Sequence, residues 1–325
     1  LRSFHGHARI LSIDTAAAKA LPGVLGIFTG QDLLRDGVQP IPTAMPFTRP
    51  DGEPASSAPH YPLATDAARY MGQAVAAVVA TTPAQAVEAA ECIAVEYEEL
   101  PTLISLKDAA APDAPRLWEG MPDNIAAAKT LGDAEVVEQA FAQAARVTRL
   151  ELVNPRLVGN PIEPRTSICD YDPESGRRTL HAGHQSAGRL KGGLAHVLQA
   201  DPEDFHIIIQ DVGGGFGTKT PLYPEDATLV YAAGKLKRPI KWRSTRSDEF
   251  QATLHARNQE SVAELACDAD GHYTVDTAAT EKARRRASVR MASRRRRPPS
   301  LHSSTPAATA TPRATRASRA VNSDI

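Results

Sequence analysis

The sequence predicts an α/β (α+β) fold, and three observations carry that prediction. Strand-like and helix-like segments alternate through residues 1–107. Two strand–loop–helix units follow one another between residues 178 and 236. The composition, 42% hydrophobic and 23% charged over 325 residues, is ordinary for a globular protein with room for two domains.

The elements are argued in chain order. Ala8 to Ile13 reads as a strand, and Thr15 to Leu21 as a short helix capped by Asp14 or Thr15. Pro22-Gly23 ends that helix, and Val24 to Thr29 is the next strand. Residues 33–66 are rich in Pro, Asp and Thr and read as a long surface loop. Gln73 to Ala80 is an apolar, β-branched strand. Thr82-Pro83 starts a helix running to Ala94, with Pro83 suited to the first turn, and Val95 to Tyr97 returns as a strand. Residues 108–131, rich in Pro, Ala and Asp, read as a connector. Asp133 to Ala145 is a helix and Arg146 to Val153 a strand. The first strand–loop–helix unit is Arg178 to His181, a loop holding Gly183-His184-Gln185-Ser186, and a helix from Ala187 to Leu198. The second is a strand at Phe205 to Gln210, a glycine loop, and a helix from Pro224 to Leu236. Pro239 to Ser244 and Gln259 to Cys267 add strands.

The glycine loop Val212-Gly213-Gly214-Gly215-Phe216-Gly217-Thr218-Lys219 is the most informative stretch. Three successive glycines leave backbone amides open to close approach by an anionic or bulky ligand. Phe216 among them is then a wall, not a core plug. The alternative is a tight turn needing positive φ at several positions, and local pattern alone leaves both open. A P-loop is excluded because Thr218, not Gly, precedes Lys219. The dinucleotide fingerprint fails because Thr218 stands at the third Gly.

Other features bound the function. No apolar run reaches the roughly 18 residues of a membrane span. Cys92, Cys169 and Cys267 lie 77 and 98 positions apart, which matches no zinc or iron–sulfur spacing and suits a reducing, cytoplasmic compartment. The first residue is Leu1 and not Met, so a natural start upstream is expected. Residues 277–325 hold 12 basic and 2 acidic residues, a net of +10, against 25 basic and 36 acidic elsewhere, a net of −11. The α/β pattern stops near Asp276, and residues 281–325 contain no aromatic residue and no Gly. Two readings fit this tail: a basic arm for nucleic acid or a membrane surface, which the Arg294 to Arg297 run would fit, or a frame-shifted translation of GC-rich coding DNA. The abruptness of the change favours the second, and a disordered tail is expected either way.

Four segments together resemble one family. Ala20-Leu21-Pro22-Gly23-Val24-Leu25-Gly26-Ile27-Phe28-Thr29-Gly30-Gln31-Asp32-Leu33 is similar to the signature of the a/b hammerhead domain, and Tyr70 to Val78 to its later strand. Asn160-Pro161-Ile162-Glu163-Pro164-Arg165 and Asp211 to Lys219 resemble the start of a molybdopterin-binding region. The family is the molybdopterin-binding large subunit of the xanthine dehydrogenase, aldehyde oxidase and aerobic carbon monoxide dehydrogenase group. The resemblance implies a hammerhead domain over 1–107, a connector over 108–145 and the first part of a molybdopterin-binding domain over 146–276. It implies hydroxylation of an aldehyde, purine or N-heterocycle with oxygen derived from water, and a molybdopterin cofactor, in bacteria often the cytosine dinucleotide form. Iron–sulfur and FAD groups are expected on partner subunits only, and nucleic acid is not an expected partner.

The resemblance also assigns residues. Gln185 matches a glutamine that hydrogen-bonds an oxygen ligand of molybdenum, a role an amide fills without adding charge. Gly214, Gly215, Phe216 and Gly217 match the loop that faces the cofactor. Lys219 matches the family's Lys after that loop, and the Thr220 that follows it, in place of an acidic residue, weakens a xanthine assignment. Glu163 and Arg165 either support the cofactor from below or form a structural ion pair. The family supplies no direct protein ligand to molybdenum, so His181 and His184 are expected to be surface or hydrogen-bonding residues. Its catalytic Glu is expected beyond this stretch, which makes the chain a fragment expected to be inactive alone. The competing reading is a non-catalytic α/β protein whose basic tail binds nucleic acid.

Overall fold

The computed structural model describes residues 1–43, 48–49, 52–55, 58–282 and 287–293. The N-terminal part is built from two antiparallel sheets. β1 (Ala8–Asp14) is followed by the short helix α1 (Ala16–Lys19), whose first amide, Ala16 N–H, donates to Asp14 Oδ1 at 2.9 Å. β2 (Val24–Thr29) runs into α2 (Gly30–Arg35), started by a capping box between Thr29 and Asp32. This helix lies at the edge of the stretch read from composition as loop, and its signal is the Thr-x-x-Asp spacing. β3 (Ala67–Ala68), β4 (Ala76–Ala80), α3 (Pro83–Glu91) and β5 (Ala94–Glu99) complete the unit. β1 pairs with β3 and β5, and β2 pairs with β4, all antiparallel. Ala18, Ile27, Ala76, Ala89 and Ile93 form the small core between α1, α3 and the β2–β4 pair.

The connector is partly structured: it contains most of α4 (Leu106–Ala110) and all of β6 (Ala127–Leu131). After α5 (Ala134–Ala142), β7 (Arg146–Val158) runs as one strand of 13 residues. β8 (Thr166–Tyr171), β9 (Arg178–Ala182), α6 (Ala187–Leu198), β10 (Phe205–Ile208), α7 (Pro224–Leu236), β11 (Ile240–Arg243) and α8 (Arg246–Ala252) follow. The central sheet has the order β10-β9-β8-β11, with β9 and β10 parallel and the other pairs antiparallel. Helix α7 is buried from Asp226 to Ala233 without interruption, so it passes through the core and not along its surface. Leu180, Leu190, Leu194, Phe205 and Val230 share one cluster with Leu33, Val38, Ile41 and Leu63 of the N-terminal part. The Phe28 and Tyr231 rings meet edge to face at 5.4 Å across that join.

One boundary differs from the sequence reading. β12 (His255–Cys267) pairs with β7 on one side and with β13 (Tyr273–Lys282) on the other, and β14 (Ala287–Ser293) follows. The sheet therefore continues past Asp276, into the start of the segment read as a basic tail. A long strand such as β12 leaves a row of backbone donors and acceptors that need partners, and Thr, Val, Ser and Ala supply a backbone partner without any amphipathic period. The run Arg294 to Arg297 and the rest of the tail lie outside the described residues.

A buried charge network ties these parts together. The Arg165 Nη1 donates to Glu225 at 2.9 Å, and its Nε to Glu249 at 3.1 Å. Arg2 reaches from the N-terminal part to Glu225 at 2.6 Å, Asp248 at 2.7 Å and the Gly72 carbonyl at 3.1 Å. Burial would raise the Glu225 carboxyl, but the charges of Arg165 and Arg2 outweigh it and hold the group down at about 2. A carboxylate lowered from its ordinary 4.5 stabilises the fold fully above that pH, and its contribution is lost as pH falls toward about 2. Glu225→Gln is expected to destabilise the chain by roughly 3–5 kcal/mol at neutral pH, because the buried Arg165 and the partly buried Arg2 lose their shared counter-charge. It is also expected to flatten the acid-induced loss of stability in that window. Denaturant titrations across that pH range measure both effects.

Candidate functional site

The two strand–loop–helix units meet at one end of the central sheet. β9 and β10 are parallel neighbours, with Leu180 opposite Ile207 and His181 opposite Ile208. Their C-terminal loops therefore leave the sheet side by side, the position where open α/β sheets bind ligands. The first loop holds Gln185 and ends at Ser186, which caps α6 by accepting the Arg189 N–H. The second is the glycine loop, which ends at Pro224, the first residue of α7.

Gln185 lies directly over the glycine loop. Its N–H donates to the Lys219 carbonyl at 2.8 Å. Its Oε1 accepts the Lys219 N–H at 3.2 Å and the Thr220 hydroxyl at 3.4 Å. With the oxygen so engaged, Nε2 is left as a donor that meets no protein acceptor among the described residues. Gly215 permits this approach: a Cβ there would fall 2.4 Å from Gln185 Cδ. Gly214, Phe216 and Gly217 have φ of 90°, 49° and 80°, so the tight-turn reading and the open-loop reading both hold. The N–H groups of Gly215, Phe216 and Gly217 also lack protein acceptors among the described residues. Phe216 is 78% exposed on a left-handed backbone, two unfavourable features that make it a candidate functional position.

The loop is fastened from below. Lys219 is 1% exposed, and its ammonium donates to Glu163 Oε2 at 2.6 Å. The same carboxylate oxygen accepts the Gly213 N–H at 2.8 Å. The Lys219 hydrogen bond, supported by that of Gly213, holds the Glu163 carboxyl below its ordinary range against the effect of burial. Tyr223 adds a second tether, donating to the Thr218 carbonyl at 2.6 Å and accepting the Leu254 N–H at 3.2 Å. Arg246 holds the neighbouring 160–162 segment through Asn160 Oδ1, the Pro161 carbonyl at 2.8 Å and the Ile162 carbonyl at 2.7 Å.

Of the two sequence alternatives for Glu163 and Arg165, a mutual ion pair is not what forms. Glu163 pairs with Lys219, and Arg165 with Glu225 and Glu249. His184 is a structural histidine: its Nδ1 accepts the Ser186 N–H at 3.0 Å, leaving Nε2–H to donate to the Pro221 carbonyl at 3.2 Å. His181 is exposed on β9. Sequence reasoning missed Tyr223, Arg246 and the partner of Lys219, because each acts across a gap of residues that leaves no local pattern. The described residues hold one His/Asp cluster with metal-ligand spacing, Asp268, Asp270 and His272, in the exposed β12–β13 turn and not at the glycine loop.

This arrangement fits one side of an oxygen-rich cofactor. Three backbone amides and one side-chain amide offer hydrogen bonds, and a Cβ at Gly217 would meet nothing within 4 Å among the described residues. Residues 117–280 match the family described as molybdopterin cofactor-binding domain, and residues 1–101 match the aldehyde oxidase and xanthine dehydrogenase a/b hammerhead domain. The carbon monoxide dehydrogenase large chain of Afipia carboxidovorans is 32% identical, covering 83% of this chain and 34% of that protein. The 6-hydroxypseudooxynicotine dehydrogenase complex subunit gamma of Paenarthrobacter nicotinovorans is 34% identical, covering 83% of this chain and 33% of that protein. The crystal structure of quinoline 2-oxidoreductase from Pseudomonas putida 86 superposes with a TM-score of 0.77 at 31% identity, over 84% of this chain and 34% of that one. The chain belongs to the molybdopterin-binding large-subunit family of the xanthine dehydrogenases, aldehyde oxidases and carbon monoxide dehydrogenases. It spans about a third of the length of the curated relatives it matches.

Gly215→Ala separates site geometry from stability. The added methyl is expected to push the Gln185 side chain off the loop while changing stability by less than about 1 kcal/mol, since Gln185 can rotate outward. A crystal structure of the variant and its thermal midpoint check this; an undisturbed Gln185 contradicts it.

Proposed function

We propose that this chain forms one wall of the molybdopterin site in the large subunit of a molybdenum hydroxylase. The observation that carries the reading is Gln185 laid over Gly215 with its Nε2 directed to no protein acceptor. The cofactor, when bound, supplies the redox chemistry at molybdenum. The chain's own residues position it. Gln185 Nε2 would hold the cofactor by donating a hydrogen bond to it, and the amides of Gly215, Phe216 and Gly217 would offer further donors. Phe216 presents an apolar ring toward the substrate side and keeps water away from it. Glu163 and Lys219 hold the loop in register beneath.

The substrate class we infer is an aldehyde, a purine or an N-heterocycle, hydroxylated with oxygen from water. Support comes from relatives whose names refer to nicotine and hypoxanthine, and from a similar solved structure titled aldehyde oxidoreductase. The same reading places the protein in the cytoplasm, with the cytosine dinucleotide form of the pterin and with iron–sulfur and FAD subunits as partners. Several relatives are named as large subunits or as subunits of complexes. No helix among the described residues is long and apolar enough to cross a membrane. Because the chain spans a third of its relatives, we infer that it does not turn over substrate alone and that the catalytic base belongs to the remainder of the subunit.

The test adds molybdopterin released from a donor enzyme to the purified chain and follows pterin fluorescence. Saturable binding is expected, weakened about 5–10-fold in Gln185→Ala by the loss of one hydrogen bond. No oxidation of benzaldehyde, hypoxanthine or quinoline with a dye acceptor is expected. A folded chain that binds no pterin overturns the cofactor reading, and turnover by the chain alone overturns its dependence on the rest of a subunit.

A further inference from the structure

Beneath the glycine loop lies a small, partly enclosed cavity that the binding role of the loop does not use. It is lined chiefly by Arg165, Ser167, His184, Lys219, Tyr223 and Asp226, each more than nine-tenths buried. Its free space for the centre of a water molecule is about 10 Å³. That is close to the room one water needs and far below that of an organic ligand.

The polar groups around it are complementary but do not meet. Arg165 Nη2 is buried and has no hydrogen-bond partner, although Nη1 and Nε are both engaged. On the other side, Asp226 Oδ1 accepts the Ser167 hydroxyl, and Oδ2 accepts nothing among the described residues. A buried donor without an acceptor and a carboxyl group with one oxygen unbonded among the described residues thus line one small polar space. A buried donor in this state is satisfied by ordered water far more often than left bare. A cation is disfavoured by Arg165 and Lys219, and an anion by the Asp226 carboxyl. His184 offers no further donor, since both its ring nitrogens are engaged.

We propose that this cavity is a binding site for a single internal water, which accepts from Arg165 Nη2 and donates to Asp226 Oδ2. The water joins the segment entering β8 to the first turn of α7. It completes the shell of the guanidinium that stacks on Tyr223 at 3.8 Å, the residue that tethers Thr218. The inference rests on the fold and not on the cofactor reading, so either can fail without the other.

Two measurements on the whole chain test it. A crystal structure at a resolution that shows ordered water is expected to contain one peak within hydrogen-bond distance of both atoms. In solution, the amides of Ser167 and Asp226 are expected to show cross-relaxation to a long-lived water, kept in Asp226→Asn and lost in Asp226→Leu. Asp226→Asn retains an acceptor and guards against a variant that fails to fold. An empty cavity, a direct Arg165–Asp226 bond that closes it, a chloride identified by anomalous scattering, or no water contact to either amide would each overturn the proposal.

Discussion

Arg165 lies 5% exposed between Glu225 and Glu249, with its planar face against Tyr223 and Arg2 bonded to the far side of Glu225. A guanidinium tolerates such a place because its fixed fork can engage two carboxylates and still stack on a ring. Each partner belongs to a different element. Glu225 opens α7, Glu249 lies in α8, and Arg2 comes from the N-terminal part. Burial makes the arrangement close to all-or-none, since removing one charge leaves its neighbours uncompensated in a poorly screened interior. The orientation of α7, the approach of the N-terminal part and the height of the glycine loop are thus set together.

From this base the loop is held by a short chain of contacts. Arg165 positions Tyr223, Tyr223 holds the Thr218 carbonyl, and Lys219 drops into the interior to meet Glu163. The glycines above are there for different reasons. Gly214 and Gly217 supply backbone angles that side chains rarely adopt, whereas Gly215 leaves room for Gln185. Gly213 likewise leaves room for Glu163, whose Cβ would lie 2.6 Å from an added methyl. The loop is therefore rigid in its backbone and open in its hydrogen bonding, which is the state in which a site offers donors at low reorganisation cost.

Among the described residues the upper surface of the site carries exposed apolar side chains. Ile162 is 93% exposed with its own carbonyl held by Arg246, and Phe216 is 78% exposed in a loop whose Gly213 and Lys219 are held by Glu163. Exposed apolar groups on a firmly held backbone are characteristic of a surface made to be met by something else. In the proposed reading these are the cofactor, the substrate and the remainder of the subunit.

Much of the framework was legible in the residues. β2, α6 and α7 have the bounds their caps and apolar runs predict, since Ser186 and Pro224 act locally. The glycine loop and Gln185 could be singled out from motif resemblance, and the parallel pairing of β9 with β10 explains why they meet. The alternating pattern also predicted mixed structure, although most strand pairs proved antiparallel. Sequence did not reveal that Lys219 belongs to Glu163 and Arg165 to Glu225 and Glu249, because charged residues carry no label for partners 56, 60 and 84 positions away. Nor did it reveal β13 and β14, whose backbone pairing requires no amphipathic period. Local chemistry determined the elements and their ends, through caps, prolines and glycines that act within a few residues. Tertiary structure alone decided the charge pairing and the cavity beneath the loop, because burial is what turns a solvated charge into one that must find a particular partner.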